Sequence, residues 1–326
     1  MIKNTISLRF LAIALAVSVL PATHAVAAYP EKPVTIVVAF APGGNVDATA
    51  RALAPSLAKT LGQPVVIDNR AGAGGTIGSS MVARAKPDGY TLMVGSTATN
   101  ATAPAFMKAT YDPVTSFTAI GGISTTPSVV VISPAMNAST YQELVATSKL
   151  RTGGLNMGSP GTGSLNHLTT ELLKQKTGLN AIHVPYKGAG PALTDLMGSQ
   201  LDAMVDQISS SAPFLDSGKL RAVAQTGATR SPLLPNVPTL REQGVQDVDV
   251  AVYTGLFAPA DLPAETRDVL VRALKIALED EDFLTRLKAQ GSEPLRMSQP
   301  EFSSYVADEA KRWRDVIETS GIAAQN

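Results

Sequence analysis

The sequence predicts an α/β protein of two lobes, with mostly parallel sheets flanked by helices. Three observations carry that class. Short β-branched apolar runs alternate with helix-period segments, the order that builds parallel sheets covered by helices. At 326 residues the chain exceeds the size at which a single core usually stops growing. With 44% hydrophobic residues it has material for more than one core.

The elements follow in order. Residues 34–40 (VTIVVAF) form a nearly continuous β-branched run, as a strand covered on both faces requires. Ala41-Pro42-Gly43-Gly44 breaks the run, and a helix continues to Leu61 with Ala50, Leu53, Ala54 and Leu57 on one stripe. Residues 65–68 make a second strand. Gly72-Ala73-Gly74-Gly75 then leads into a helix to Ala85, and Pro87-Asp88-Gly89 turns into a strand over 90–94. Residues 119–123 and 129–132 are two strand-like runs separated by Ser124-Thr125-Thr126-Pro127, with no helix between them, which marks the crossing to the second lobe. There a second α/β series runs: strand 155–157, helix 164–176, strand 182–184, helix 191–197 stopped by Gly198, strand 201–205, a helix near 212–215 and strand 220–225. The strand 251–258 crosses back. The remainder is helical: Pro263 opens one segment, and Ser298-x-x-Glu301 resembles a capping box. Phe302, Val306, Trp313 and Ile317 share a helical face, and Trp313 is read as packing onto the first lobe.

The N-terminus carries Lys3 and Arg9, then an apolar run over residues 10–20 too short to span a bilayer, then the small-x-small pattern Ala25-Val26-Ala27. This predicts a signal peptide over 1–27 and a periplasmic protein starting near Ala28, without access to the ATP pool. The expected domains are 28–124 plus 252–326, and 125–251. The absence of cysteine excludes disulfides and a lipid anchor, so a freely soluble monomer is expected. Removing Lys3 and Arg9 from 27 basic residues leaves 25 against 27 acidic ones, a net charge of about −2 with no basic stripe. Nucleic acid is therefore excluded as a partner.

Two loops share one physical design, each between a strand and a helix. The first holds Phe40, Ala41, Pro42, Gly43, Gly44, Asn45, Val46 and Asp47, and the second runs Gly158-Ser159-Pro160-Gly161-Thr162-Gly163-Ser164. Glycine permits close backbone approach, and the first helical turn offers unpaired N–H groups whose dipole favours an anion. Each such site stabilises an anion by roughly 0.3–2 kcal/mol. A pair facing each other across a cleft suits a small carboxylate; taken singly, each is also consistent with an ordinary βα turn. Ser96-Thr97-Ala98-Thr99 follows a strand end, where hydroxyls either face the ligand crevice or cap a helix. Asp206 ends another strand and faces the same crevice.

Other chemistries lack support. No loop contains Gly-Lys-Ser/Thr, and Gly72-Ala73-Gly74-Gly75-Thr76-Ile77-Gly78 misses the dinucleotide pattern by one position. Neither His167 nor His183 has a second histidine at i+4, and no Gly-x-Ser-x-Gly elbow occurs. No metal and no cofactor are expected. His183 is read as structural and His167 as a capping or packing residue.

Residues 42–78 (PGGNVDATARALAPSLAKTLGQPVVIDNRAGAGGTIG), 86–99 (KPDGYTLMVGSTAT), 158–173 (GSPGTGSLNHLTTELL) and 183–207 (HVPYKGAGPALTDLMGSQLDAMVDQ) resemble the Bug family, the periplasmic solute-binding components of tripartite tricarboxylate transporters. The resemblance covers essentially the whole mature chain. It implies a two-domain periplasmic binding protein type II (Venus flytrap) fold that holds a small carboxylate (a di- or tricarboxylate, an amino acid or an aromatic acid) between its domains. It assigns ligand binding to Phe40, Pro42, Gly43, Gly44, Asp47, Ser96, Thr97, Gly161, Thr162, Gly163, Ser164 and Asp206. Asn45, Val46 and Asn166 fill positions that vary in the family. The implied partner is the transporter's membrane permease or a membrane sensor. An exported hydrolase using Ser96 or Ser164 with His167 is the rival reading, and the lack of a paired nucleophile-base signature weighs against it.

Overall fold

The computed structural model describes residues 29–107, 109–186 and 189–320. The signal-peptide reading falls outside the described residues. The first series is β1 (Val34–Val38), α1 (Asn45–Leu61), β2 (Val65–Asn69), α2 (Thr76–Ala83) and β3 (Thr91–Ser96). A π-helical turn (Ala98–Thr102) and α3 (Ala103–Phe106) lead to β4 (Phe117–Ile132). The second series is α4 (Tyr141–Leu150), β5 (Leu155–Ser159), α5 (Leu165–Thr177), β6 (Ala181–Pro185), α6 (Ala189–Met197), β7 (Ala203–Gln207), α7 (Ile208–Asp216) and β8 (Arg221–Gln225). β9 (Ala251–Pro259), α8 (Ala264–Ala277), α9 (Glu281–Ala289), β10 (Glu293–Pro294) and α10 (Gln299–Ser320) complete the order.

The strands run β2-β1-β3-β9-β4-β7-β5-β6. Parallel pairing holds within β2-β1-β3 and within β6-β5-β7, the strands that feed helices. The crossing strands β4 and β9 pair antiparallel with their neighbours, so the whole is a mixed sheet.

β1 shows why the run VTIVV is a doubly covered strand. Val34, Ile36 and Val38 enter one core with Leu53, Leu57 and Leu270, while Val37 enters another with Val82, Met93 and Phe302. The same alternation divides β4: Val130 and Ile132 face one core of the second lobe, and Val129 and Val131 the other.

Two sequence expectations are corrected. Residues 117–132 form one strand where two separated runs were expected. Thr125 and Thr126 are β-branched and pair with Tyr253 and Val252 of β9, so the Ser-Thr-Thr segment stays extended. Pro127, which has no N–H to donate, pairs with Ala251 at the end of that register, and from Ser128 onward β4 pairs with β7 instead. Trp313 is fully buried, but in the second lobe's core together with Leu168, Leu172 and Val130. α10 begins in the first lobe, where Phe302 and Val306 pack with Tyr253 and Phe257, and ends in the second. Its N-terminus carries the expected capping contact: Ser298 donates its N–H and its hydroxyl to Glu301 Oε2, at 2.8 and 2.6 Å.

Candidate functional site

The two glycine loops line one cavity of about 850 Å³ between the lobes. Gly43 and Gly44 bound it from the first lobe, and residues 160–166 from the second. Phe40, Ser96, Thr97 and Asp206 also reach it. Its volume lies in the range of small-molecule sites. Pro42 and Asp47 are not among its lining residues.

Asp47 does different work. It is buried beneath the first loop, bonded to Gly43. Its carboxylate accepts hydrogen bonds from Gly43 N (2.9 Å), Arg51 Nε (3.0 Å) and Asn69 Nδ2 (2.9 Å). Burial opposes its charge, but these donors outweigh it and hold the carboxyl below the usual aspartate range. Asp47 thus braces the first loop, and the Arg51 partner at i+4 is the sequence signal of that role.

Gly43 N–H is spent on Asp47, Gly161 N–H on Ser159 Oγ (3.1 Å), Gly163 N–H on His167 Nδ1 (3.1 Å) and Ser164 N–H on Gly161 O (3.2 Å). The donors left for a ligand are the Gly44 and Thr162 amides and the first-turn amides of α1 and α5, at Asn45 and Val46 and at Leu165 and Asn166, all on the cavity lining. Gly44, the N-cap of α1, has no side chain to compete for them. Ser164, the N-cap of α5, takes only His167 N–H (3.3 Å).

Ser96 and Thr97 divide their roles. Thr97 Oγ1 accepts from Tyr253 N–H (3.0 Å) and pins the strand end to β9. Ser96 Oγ is buried on the cavity without a hydrogen-bond partner. Both precede the π-helical turn, a local distortion frequent at functional sites. Asp206 accepts from Ser210 Oγ (2.7 Å) and Ser211 Oγ (2.6 Å), both on Oδ2. Burial pushes its carboxyl up, against the pull of these donors. No lysine, arginine or histidine is among the described residues lining the cavity.

A family profile described as the tripartite tricarboxylate transporter family receptor matches residues 49–322. The chain belongs to this family. It is 34% identical over 295 residues to Protein BugT of Bordetella pertussis, covering 90% of each chain. Among solved structures, periplasmic binding protein BugD is 36% identical with a TM-score of 0.79, covering 91% of this chain and 100% of that one. MatC from Rhodopseudomonas palustris, solved with malate, is 36% identical with a TM-score of 0.77, covering 89% and 100%. An R. palustris protein solved with adipate is 34% identical with a TM-score of 0.81, covering 90% and 99%. These neighbours show the two-domain fold of periplasmic binding proteins, and the family's members are binding proteins.

The receptor's histidines stand behind the second loop. Their rings stack at 3.6 Å between centroids, His183 Nε2 meets Ser159 Oγ at 2.6 Å, and neither ring lines the cavity. The serine–histidine pair that the sequence did not reveal is therefore Ser159–His183. Ser159 is fully buried and off the cavity, and it also bonds Gly161. This pair shapes the loop and offers no exposed nucleophile. Ser164 and His167, the pair weighed for hydrolysis, meet through a backbone amide.

Burial, and for His183 the adjacent His167, pulls both histidines down to about 4. The unfolded chain takes up their protons near pH 6.5, before the native state does. Stability conferred by the neutral pair is therefore complete above pH 6.5 and lost as pH falls towards 4. Urea midpoints are expected to fall between pH 7 and pH 5, and a His183→Gln variant to show a flatter profile; an identical slope in both proteins would refute this.

Sequence reasoning missed Phe106, Met107, Val252 and Gln290 as cavity residues. Gln290 follows α9, far from any loop motif, and only the tertiary fold brings it in. Phe106 lies in an alanine-rich stretch with no helical stripe.

Proposed function

We propose that this receptor is exported, captures a small carboxylate between its lobes and delivers it to the permease of a tripartite tricarboxylate carrier. The observation that carries this reading is the convergence of two helix N-termini, one from each lobe, on one cavity. The free amides of α1 and α5 point positive dipole ends at the same space. The malate and adipate found in the solved relatives supply ligands of the matching class. Closure excludes water and so strengthens each amide–carboxylate hydrogen bond. A ligand that needs both loops selects the closed state.

Residues 1–27 serve as the signal peptide in this reading. The lobes comprise 28–124 with 252–326, and 125–251, meeting where β4 changes partners beside Pro127. Ligand binding falls to Phe40, Gly43, Gly44, Ser96, Thr97, Gly161, Thr162, Gly163, Ser164 and Asp206, joined by the first-turn amides. The site binds and does not catalyse. Calorimetry of the mature protein against malate, succinate, adipate, glutamate and benzoate tests the reading. At least one is expected to bind with a micromolar or tighter Kd, and no heat from any of them would overturn it.

A further inference from the structure

The cavity contains more acceptors than a carboxylate site requires. We propose that Asn45, Gln290 and Asp206 form a subsite for a hydrogen-bond-donating group of the ligand. The preferred ligand is then a monocarboxylate bearing an N–H or O–H donor, and a dicarboxylate of equal length is disfavoured. This inference rests on the carboxylate-binding function proposed above.

Two independent observations support it. First, Asn45 Oδ1 and Gln290 Oε1 are buried on the cavity without a hydrogen-bond partner. An acceptor left so has lost its hydration without replacement, and a ligand donor removes that cost. Asn45 is oriented by its Nδ2, which donates to Thr126 Oγ1 at 3.3 Å, so the oxygen is the atom left over. Second, the described residues lining the cavity carry one charged side chain, the Asp206 carboxylate, and include no lysine, arginine or histidine. Burial already disfavours a negative charge at this position, and a second ligand carboxylate placed there would bring one into the same desolvated space.

The three groups come from separate elements that meet around β4. Thr126, the partner of Asn45, hydrogen-bonds Ser292 at 2.6 Å, two residues beyond Gln290. Val129, three residues along β4, faces Asp206 in the β4–β7 register. A Cβ built on Gly291 would lie 3.2 Å from Ile208 Cγ2, which sets the Gln290 turn against the start of α7, two residues after Asp206. Both serine hydroxyls on Asp206 converge on Oδ2. A ligand donor therefore has Asn45 Oδ1 and Gln290 Oε1 to address, beside the Asp206 carboxyl. A site built to hydrogen-bond a donor rejects the analogue that lacks it.

The test is calorimetry of the mature protein with length-matched ligands. The four-carbon set is succinate, succinamate, 4-aminobutyrate, 4-hydroxybutyrate and butyrate, and the six-carbon set holds the corresponding acids. At least one donor-bearing acid is expected to bind about tenfold or more tightly than both the dicarboxylate and the bare acid of its length. Its chemistry distinguishes amide, amine and hydroxyl. Gln290→Leu is expected to lower the affinity of that acid towards that of the bare acid, and Asp206→Asn to raise dicarboxylate affinity about fivefold or more. A dicarboxylate or a bare acid binding the wild type as tightly as the best donor-bearing acid would overturn the subsite and leave the carboxylate function standing. So would a Gln290→Leu variant with unchanged preference, a result that decides the matter even if Asp206→Asn fails to fold. Binding by none of these acids, nor by malate, glutamate or benzoate, would overturn the carboxylate function itself.

Discussion

Replacing Trp313 by alanine is expected to cost about 3–5 kcal/mol of stability, the usual range for truncating a large buried aromatic. The indole is fully buried, and its N–H donates to Glu309 Oε2 at 3.0 Å. Truncation leaves a void among Leu168, Leu172 and Ile317 and removes the donor from a buried carboxylate. The same core includes Ala101 and Phe106 of the first lobe, so the damage reaches both halves. Urea unfolding followed by circular dichroism reads the loss, since Trp313 is the single tryptophan of the chain; Trp313→Phe, which keeps most of the volume, should lose roughly half as much. A midpoint unchanged by Trp313→Ala would show that α10 is not part of the cooperative unit.

The second large effect is functional. Gly163→Val is expected to weaken carboxylate binding about 100-fold while leaving the fold intact. Gly163 has φ +77°, a region that costs a side-chain-bearing residue roughly 1–3 kcal/mol. An added Cβ would also stand 2.5 Å from Phe106 Cδ1, inside any permitted contact. The loop must then move away from α3, carrying Ser164 and the first-turn amides of α5 with it. Gly43→Ala separates the two causes, because that position also has positive φ but open space around the new methyl. It should lose only about five- to tenfold. Calorimetry with the best ligand of the panel measures both, and retention of affinity within twofold by Gly163→Val would show that the loop does not position the anion.

Much of the fold is legible in the sequence because its signals are local. The run VTIVV, the stripe through Leu53 and Leu57, and the capping contact at Ser298 each depend on neighbours a few residues away. What the sequence hides depends on partners. Ser-Thr-Thr-Pro looks like a loop until β9 lies alongside and holds it extended. The helical face containing Trp313 is periodic, but periodicity names a face and not the lobe it meets. The site divides in the same way. The glycine loops announce themselves by composition, yet which amides are free depends on Asp47, Ser159 and His167 claiming the others. Gln290 carries no local mark at all.

Two elements are anchored at both ends in different halves: β4, which changes partners midway, and α10, which has neither glycine nor proline after Pro300. A helix without such residues has few ways to bend sharply. Joints fixed at separated places restrict the halves to swinging about the line that joins them. A swing about one axis that stops where the lobes meet is expected to sort solutes by the length of the carbon skeleton, independently of the end group. In the calorimetric sets, the choice between four and six carbons should therefore persist in Gln290→Leu, after the choice between end groups has gone.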